Sequence, residues 1–347
     1  MSILEQLIKN STIKESELLT HSSFMKTTVV RTSVPLLNVA LSGSLDGGLS
    51  SGLTFVVGPS RHFKTAYALI MAKAYLDEVK DSVILFYDSE FGASKDYFDS
   101  FGIDSDRVIH VPIMNIEELK QDIMKQLDSL KKSDNVFIFI DSIGNLASKK
   151  EVDDALEGKS VADMTRAKQL KSLFRMVTPY LTKLDIPMVA VNHSYQTIEM
   201  FSKQVMSGGT GAMYSANTVL MVGKSQQKEG KEIVGYNFTI NIEKSRFVKE
   251  KSKLPITVTY EGGISKWSGL LDIATEMGFV EKPKVGWYTR IIPDADGVVQ
   301  EDKNWRAKDT NTPDFWMPIL EKTNFTKAIE EKYKVAQIKM LQEDDDE

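Results

Sequence analysis

From about residue 53 onward, short apolar runs that read as strands alternate with longer segments that read as helices. Such alternation is satisfied by a mainly parallel sheet covered by helices on both faces. LTFVVG (53–58) is a short β-rich run, and TAYALIMAKAYLDEV (65–79) is helical by period and propensity. SVILFYD (82–88) is apolar on both faces, as a central parallel strand should be. RVIHV (107–111) reads as strand, and NIEELKQDIMKQLDSLKK (115–132) places Ile116, Leu119, Ile123, Met124 and Leu127 on one helical face. VFIFID (136–141) is strand, roughly 160–184 helix, and PMVAVN (187–192) strand again. After about 218 the character changes. NTVLMVGK, IVGYNFTINIEK and LPITVTYEGG read as successive strands with short Gly-containing turns, an antiparallel extension. From about 270 a smaller unit follows, with the helix LLDIATEMG, the stretch KVGWYTR and a helix from about 314 to 340.

Composition narrows the function classes. The chain has 347 residues, 42% of them hydrophobic, which suits one large domain with appendages or two domains. With no cysteine, disulfides, thiol catalysis and thiolate metal sites are excluded. The four histidines (His21, His62, His110, His193) show no ligand spacing. No apolar run approaches a membrane span of roughly 18 residues, and MSILEQLIKN is not a signal peptide, so a soluble, cytoplasmic protein is expected. The net charge of −5 resides in the last seven residues, LQEDDDE, which hold five acids and no base. The remainder is formally neutral, so whole-chain charge gives no support for nucleic-acid binding.

The chemistry is concentrated where strands end. GPSRHFKT (Gly58, Pro59, Ser60, Arg61, His62, Phe63, Lys64, Thr65) follows a predicted strand and opens a predicted helix, the context of a phosphate-binding loop. Backbone N–H groups of such a turn point at phosphates, and the following helix adds a positive field. Lys64 would reach the β and γ phosphates, and Thr65 would hold Mg²⁺. Phe63 stands where the motif has its second glycine. It is tolerable if φ is negative and the ring points away; a positive φ would strain it. The plain alternative is an ordinary Lys-Thr at a helix start. Asp141 ends an apolar strand, where it can orient Mg²⁺, although many buried strands end in Asp at a turn. Glu90, just past the end of 82–88, would share an edge of the sheet with Lys64 and Asp141. A carboxylate that takes no metal but polarises a water is what hydrolysis requires.

With these pieces in order, the chain resembles the RecA family of recombinases, and within it the UvsX-type branch of tailed bacteriophages. The likeness begins at TSVPLLNVALSGSLDGGLSSGLTFVVGPS (32–60) and runs through DSEFG, FIDSIG, AVNH and SGGTGAMYSAN to GWYTR, roughly residues 30–300. Phe63 is similar to the phage branch, which favours a working ATP site. The resemblance implies a RecA-type α/β ATPase core over 31–269, an N-terminal polymerisation arm over 1–30, a small C-terminal domain over 270–340 and an acidic tail over 341–347. It implies that Glu90 activates the attacking water and that Tyr97 stacks on adenine. It further implies that His193 senses the γ-phosphate and leads into a DNA-binding loop. Lys244 and Arg246 would reach the nucleotide of a neighbouring subunit. Read on residues alone, Tyr97 could be packing, His193 a satisfied polar group, and Lys244 and Arg246 ordinary exposed charges.

Two long connections are candidates for DNA contact, about 149–163 and 194–217, since a compact domain seldom carries a structureless loop beyond about 15 residues without a use for it. The second has Gly208, Gly209 and Gly211, which let backbone approach a ligand, and Lys203, Ser207 and Thr210 as donors. Arg166 and Arg175 resemble the family's phosphate-contacting arginines; the alternative is a solvated helix face. No base-reading motif occurs, which suits sequence-independent binding to single-stranded DNA. The expectation is an ATP- and Mg²⁺-dependent recombinase that forms helical filaments on single-stranded DNA and exchanges strands with homologous duplex. By resemblance it would be served by a mediator and a single-strand-binding protein in the host cytoplasm. A ring-forming helicase on the same core and a nucleotide-dependent scaffold are the rivals.

Overall fold

The computed structural model describes residues 2–159, 164–198, 203–229, 232–259, 262–294, 297–301 and 303–335; the acidic tail lies outside the described residues. Helix α1 (Ile3–Asn10) is capped by Ser2, whose hydroxyl accepts from Glu5 N while the Glu5 carboxylate accepts from Ser2 N. Strand β1 (Val29–Val30) pairs with β2 (Leu49–Ser50) across helix α2 (Pro35–Ser42). The core then alternates β3 (Gly52–Val57), α3 (Lys64–Glu78), β4 (Val83–Asp88), α4 (Lys95–Ser100), β5 (Val108–Pro112), α5 (Ile116–Ser129) and β6 (Val136–Asp141). It continues with α6 (Lys149–Leu156), α7 (Thr165–Leu184), β7 (Pro187–Asn192), β8 (Ser194–Gln196), β9 (Gln204–Met206), α8 (Thr210–Ser215), β10 (Thr218–Glu229), β11 (Glu232–Ser245), β12 (Lys253–Thr259) and β13 (Gly263–Ile264). The C-terminal unit has α9 (Leu270–Glu276), β14 (Val280–Lys284), β15 (Trp287–Asp294), β16 (Gly297–Gln300), β17 (Trp305–Arg306), α10 (Pro313–Lys322) and α11 (Phe325–Tyr333).

The main sheet has nine strands in the order β13-β12-β11-β10-β3-β7-β6-β4-β5. The six from β10 to β5 run parallel, and β11, β12 and β13 extend the sheet antiparallel. Central strands are apolar on both faces because both are covered. On β6, Phe137 and Phe139 join the cluster under α3, while Ile138 and Ile140 join the one under α5 and α7. This parallel, helix-covered core is the architecture the alternation predicts. No helix among the described residues is long and apolar enough to cross a membrane.

Three expectations change. The described part of the connection at 149–163, residues 149–159, is not structureless, because α6 occupies most of it. Ser148 caps that helix by accepting from Glu151 N, so the run SKKE was a readable start signal. The described parts of the connection at 194–217, residues 194–198 and 203–217, hold the β8–β9 hairpin and α8 rather than open loop. Within the described residues the helix expected over 314–340 is two helices, with Thr323 Oγ1 accepting from Phe325 N at the break, and 336–340 lie outside the described residues.

Candidate active site

Parallel strands deliver their carboxyl ends to one edge, and the candidate residues meet there. The loop 58–65 leaves β3 and enters α3. Lys64 is buried as the first residue of α3, with Nζ donating to Pro59 O at 2.8 Å, so the ammonium lies folded over its own loop. Burial holds its pKa below the usual lysine range, opposed by Glu90 and Asp141. Thr65 Oγ1 donates to Asp141 Oδ2 at 2.7 Å, bringing together two oxygens from different elements. His62 Nδ1 lies 2.9 Å from Ser60 O, and burial lowers its pKa.

At Phe63 the expectation of a negative φ fails: φ is +55°, and Arg61 is left-handed too at +60°. The turn needs at these points the conformation that glycine adopts freely and that costs an L-residue about 1–2 kcal/mol. The Phe63 ring does not point away either; it packs on Phe238 with centroids 5.1 Å apart.

Glu90 sits on the turn after β4. Asp88, buried at the strand end, accepts from Glu90 N at 3.0 Å and Phe91 N at 2.8 Å, which fixes that turn. Three donors converge on the single oxygen Glu90 Oε1: Ser142 Oγ, Asn145 Nδ2 at 2.8 Å, and His193 Nε2 at 3.0 Å. The His193 bond is the largest cause holding the Glu90 carboxyl below its ordinary pKa; Ser142 adds to it, and burial opposes it. Gly144 makes the His193 contact possible, since a Cβ there would lie 2.2 Å from the imidazole Cδ2. Asp141 behaves oppositely. Burial, with the like charges of Glu90 and Asp88, raises its pKa to about 6 against the Thr65 bond. That ionisation penalty is one a divalent cation would reverse, so Thr65 and Asp141 fit Mg²⁺. Among the described residues no cluster of three or more His, Asp or Glu could hold a metal. One carboxylate and one hydroxyl suit a cation whose remaining ligands are phosphate and water.

These residues line a cavity of about 480 Å³ that runs from Gly92, Ala93 and Tyr97 past Lys64, Glu90 and His193 to Lys224 and Tyr236. Tyr97 is therefore a wall of the cavity, half-buried, its ring edge-on to Phe101 at 5.4 Å. A larger cavity of about 660 Å³ lies where Arg31, Lys73 and Lys266 face Asp46 and Asp77. Its cations are already engaged, Arg31 with Asp46, Lys73 with Asp77 and Lys266 over the Trp267 ring, so it shows no unmet charge for a nucleotide. Sequence reasoning missed Asp88, Ser142, Asn145, Lys224 and Tyr236. Ser142 was within reach, next to Asp141; the other four depend on three-dimensional neighbours.

The remaining candidates divide. His193 is linked to the Gly-containing segment: Ser207 N donates to His193 O, and Asn192 Nδ2 donates to Ser207 O, each at 2.9 Å. Lys203, Gly209 and Thr210 are exposed, and Gly208 and Gly209 have positive φ, which this turn requires. The close approach at Gly208 and Gly211 is to Leu170 and Lys171 of α7, not to an open face. Arg175 is exposed on α7. Arg166 is not a free phosphate-seeking charge: its guanidinium donates to Leu146 O, Ile143 O and Gly144 O, bracing the turn that carries Asn145. Lys244 is likewise committed, donating to Met213 O, Tyr214 O and Ala216 O at the end of α8, whereas Arg246 is exposed. Each cation thus has three carbonyl acceptors to satisfy its donors in place of water.

Fold and site together define a nucleotide-binding protein with a phosphate loop at the edge of a parallel sheet. The family model for the RecA N-terminal domain matches residues 3–265, and the model for the C-terminal domain of the bacteriophage T4 recombination and repair protein matches 267–329. The recombination and repair protein of Enterobacteria phage T4 is 52% identical over 336 residues, 96% of this chain and 86% of that protein. RecA of a Nocardioides species is 25% identical over 288 residues, 81% of this chain and 79% of its own. RecA of Nocardia farcinica is 25% identical over 308 residues, with coverage of 87% and 82%. The chain belongs to the RecA family, as a recombination and repair protein of the UvsX-type phage branch.

Proposed function

We propose that the chain is a single-stranded-DNA-dependent ATPase that forms helical filaments on single strands, pairs them with homologous duplex and exchanges strands. The observation that carries the ATPase reading is the convergence of a buried Lys64, the Thr65–Asp141 pair and the triply held Glu90 on one cavity. ATP is the substrate, its phosphates addressed by the loop N–H groups and Lys64. Mg²⁺, with Thr65 and Asp141 among its ligands, neutralises phosphate charge when bound. Glu90 takes its three donors on Oε1, so Oε2 is the oxygen that accepts the proton of the attacking water. Tyr97 offers a ring to the base.

His193 connects this chemistry to DNA. Its ring contacts Glu90 while its carbonyl accepts from Ser207, so a movement of His193 toward a phosphate would shift the 203–211 segment. That is the kind of element through which ATP favours a DNA-gripping state and hydrolysis releases it. Lys244 holds the far end of α8, which follows that segment, while Arg246 stays available to a neighbouring subunit. The exposed Ile3, Leu4 and Leu7 of α1 suit docking on that neighbour. A mediator and a single-strand-binding protein complete the proposed partners. The test is phosphate release and joint-molecule formation with and without single-stranded DNA. We expect DNA to stimulate hydrolysis and ATP to be required for pairing; hydrolysis indifferent to DNA, with no joint molecules, would overturn the reading.

A further inference from the structure

Two left-handed residues in the phosphate loop, neither of them glycine, require something that keeps them there. Each is met by one member of a single cross-strand pair. Lys224 of β10 and Phe238 of β11 are register partners, so their side chains share a face of the sheet extension. Lys224 Nζ donates to Arg61 O at 3.1 Å, and the Phe238 ring receives Phe63. Tyr236, two residues before Phe238 on the same face, lies under the Lys224 ammonium at 3.5 Å from ring centroid to Nζ and aims it at the loop. No carboxylate pairs with Lys224 among the described residues. The extension also abuts the loop's start: a Cβ on Gly58 would lie 2.9 Å from Val222 O.

We infer that Lys224 and Phe238 are positioning residues that take the place of glycine in this loop. They hold Arg61 and Phe63 in the conformation from which the loop N–H groups address phosphate, and Tyr236 orients Lys224. The inference rests on reading 58–65 as the nucleotide loop. A glycine loop samples this conformation on its own; this one is set by the antiparallel extension, so nucleotide affinity depends on strands outside the loop.

The experiment is ADP binding by calorimetry, in the full chain and in a background carrying Arg61→Gly and Phe63→Gly. Lys224→Met keeps the aliphatic stem and removes the donor. In the unsubstituted loop it should weaken ADP roughly tenfold, the scale of one left-handed residue's cost. In the glycine background it should weaken ADP by less than about twofold. Tyr236→Phe, which keeps the ring under the ammonium, should retain near-normal affinity. Lys64→Ala separates the two readings. Unchanged ADP binding in that variant would overturn the loop reading itself and the inference with it. If Lys64→Ala loses binding but Lys224→Met does not, the inference alone fails. An equal loss from Lys224→Met in both backgrounds would also overturn it, since Lys224 would then be a direct phosphate ligand.

Discussion

Around the phosphate loop several groups are fixed by a partner from another element: the Thr65 hydroxyl by Asp141, the Glu90 carboxylate by Ser142, Asn145 and His193, and the Arg61 carbonyl by Lys224. In the described parts of the segments 149–163 and 194–217, some large apolar side chains face outward instead, with Leu156 83% and Ile198 105% exposed. In the function proposed, the two regions answer different ligands. A small phosphoanhydride gains most from groups already in place, since their reorganisation would add to the barrier. A polymer is gripped by segments that complete their ordering when they bind, and that ordering cost can be linked to the nucleotide state.

The comparison is broken most forcefully at Glu90. Glu90→Gln keeps the shape and removes the base, so ATP turnover should fall about 10²–10⁴-fold while ATP and DNA binding stay near normal. Near-normal turnover in a phosphate-release assay would remove Glu90 from the chemistry. The next effect separates two arginines on one helix. Arg166→Ala deletes three bonds to carbonyls and should destabilise the chain by about 2–3 kcal/mol in denaturant unfolding. Arg175→Ala should leave unfolding unchanged and reduce the salt slope of DNA binding by about 1.

A pH experiment sharpens the same contrast. Burial pushes the Asp141 carboxyl from the ordinary aspartate value of 3.8 up to about 6 in the folded chain. Between those limits the folded state binds more protons than the unfolded one, so stability falls as pH rises through the window. The loss should be of order 1–3 kcal/mol without divalent cation, and smaller with Mg²⁺. Asp141→Asn should flatten the profile in thermal melts at pH 4 to 7; an unchanged profile would move the titration elsewhere. The smallest effect is expected at the tail. Removing 343–347 deletes five acids and should tighten DNA binding and flatten its salt dependence, seen as a shift in midpoint across a salt series.

The fold was legible in the sequence because burial on both faces leaves unbroken apolar runs such as VFIFID and PMVAVN, and because parallel strands bring their carboxyl ends to one edge. Lys64, Glu90 and Asp141 could therefore be placed together from strand ends, with Thr65 added by the phosphate-loop motif and His193 by the family resemblance. The companions that aim them could not. Asn145 reaches Glu90 from a turn that Arg166 braces, and His193 reaches it over Gly144, where a Cβ would meet the imidazole. Phe63 was misjudged for the same reason: its φ is sustained by Phe238, a residue 175 positions later in the chain. Arg166 and Lys244 read as surface charges because sequence shows the charge and not the carbonyls that surround it.

The measurement that bears most directly on the central claim is electron microscopy of the full chain with single-stranded DNA, Mg²⁺ and a slowly hydrolysed ATP analogue. Long helical filaments along the DNA, absent without nucleotide, are the result expected of a recombinase whose ATP site controls its DNA-gripping segments. Closed rings, or no assembly while the analogue is bound, would contradict it.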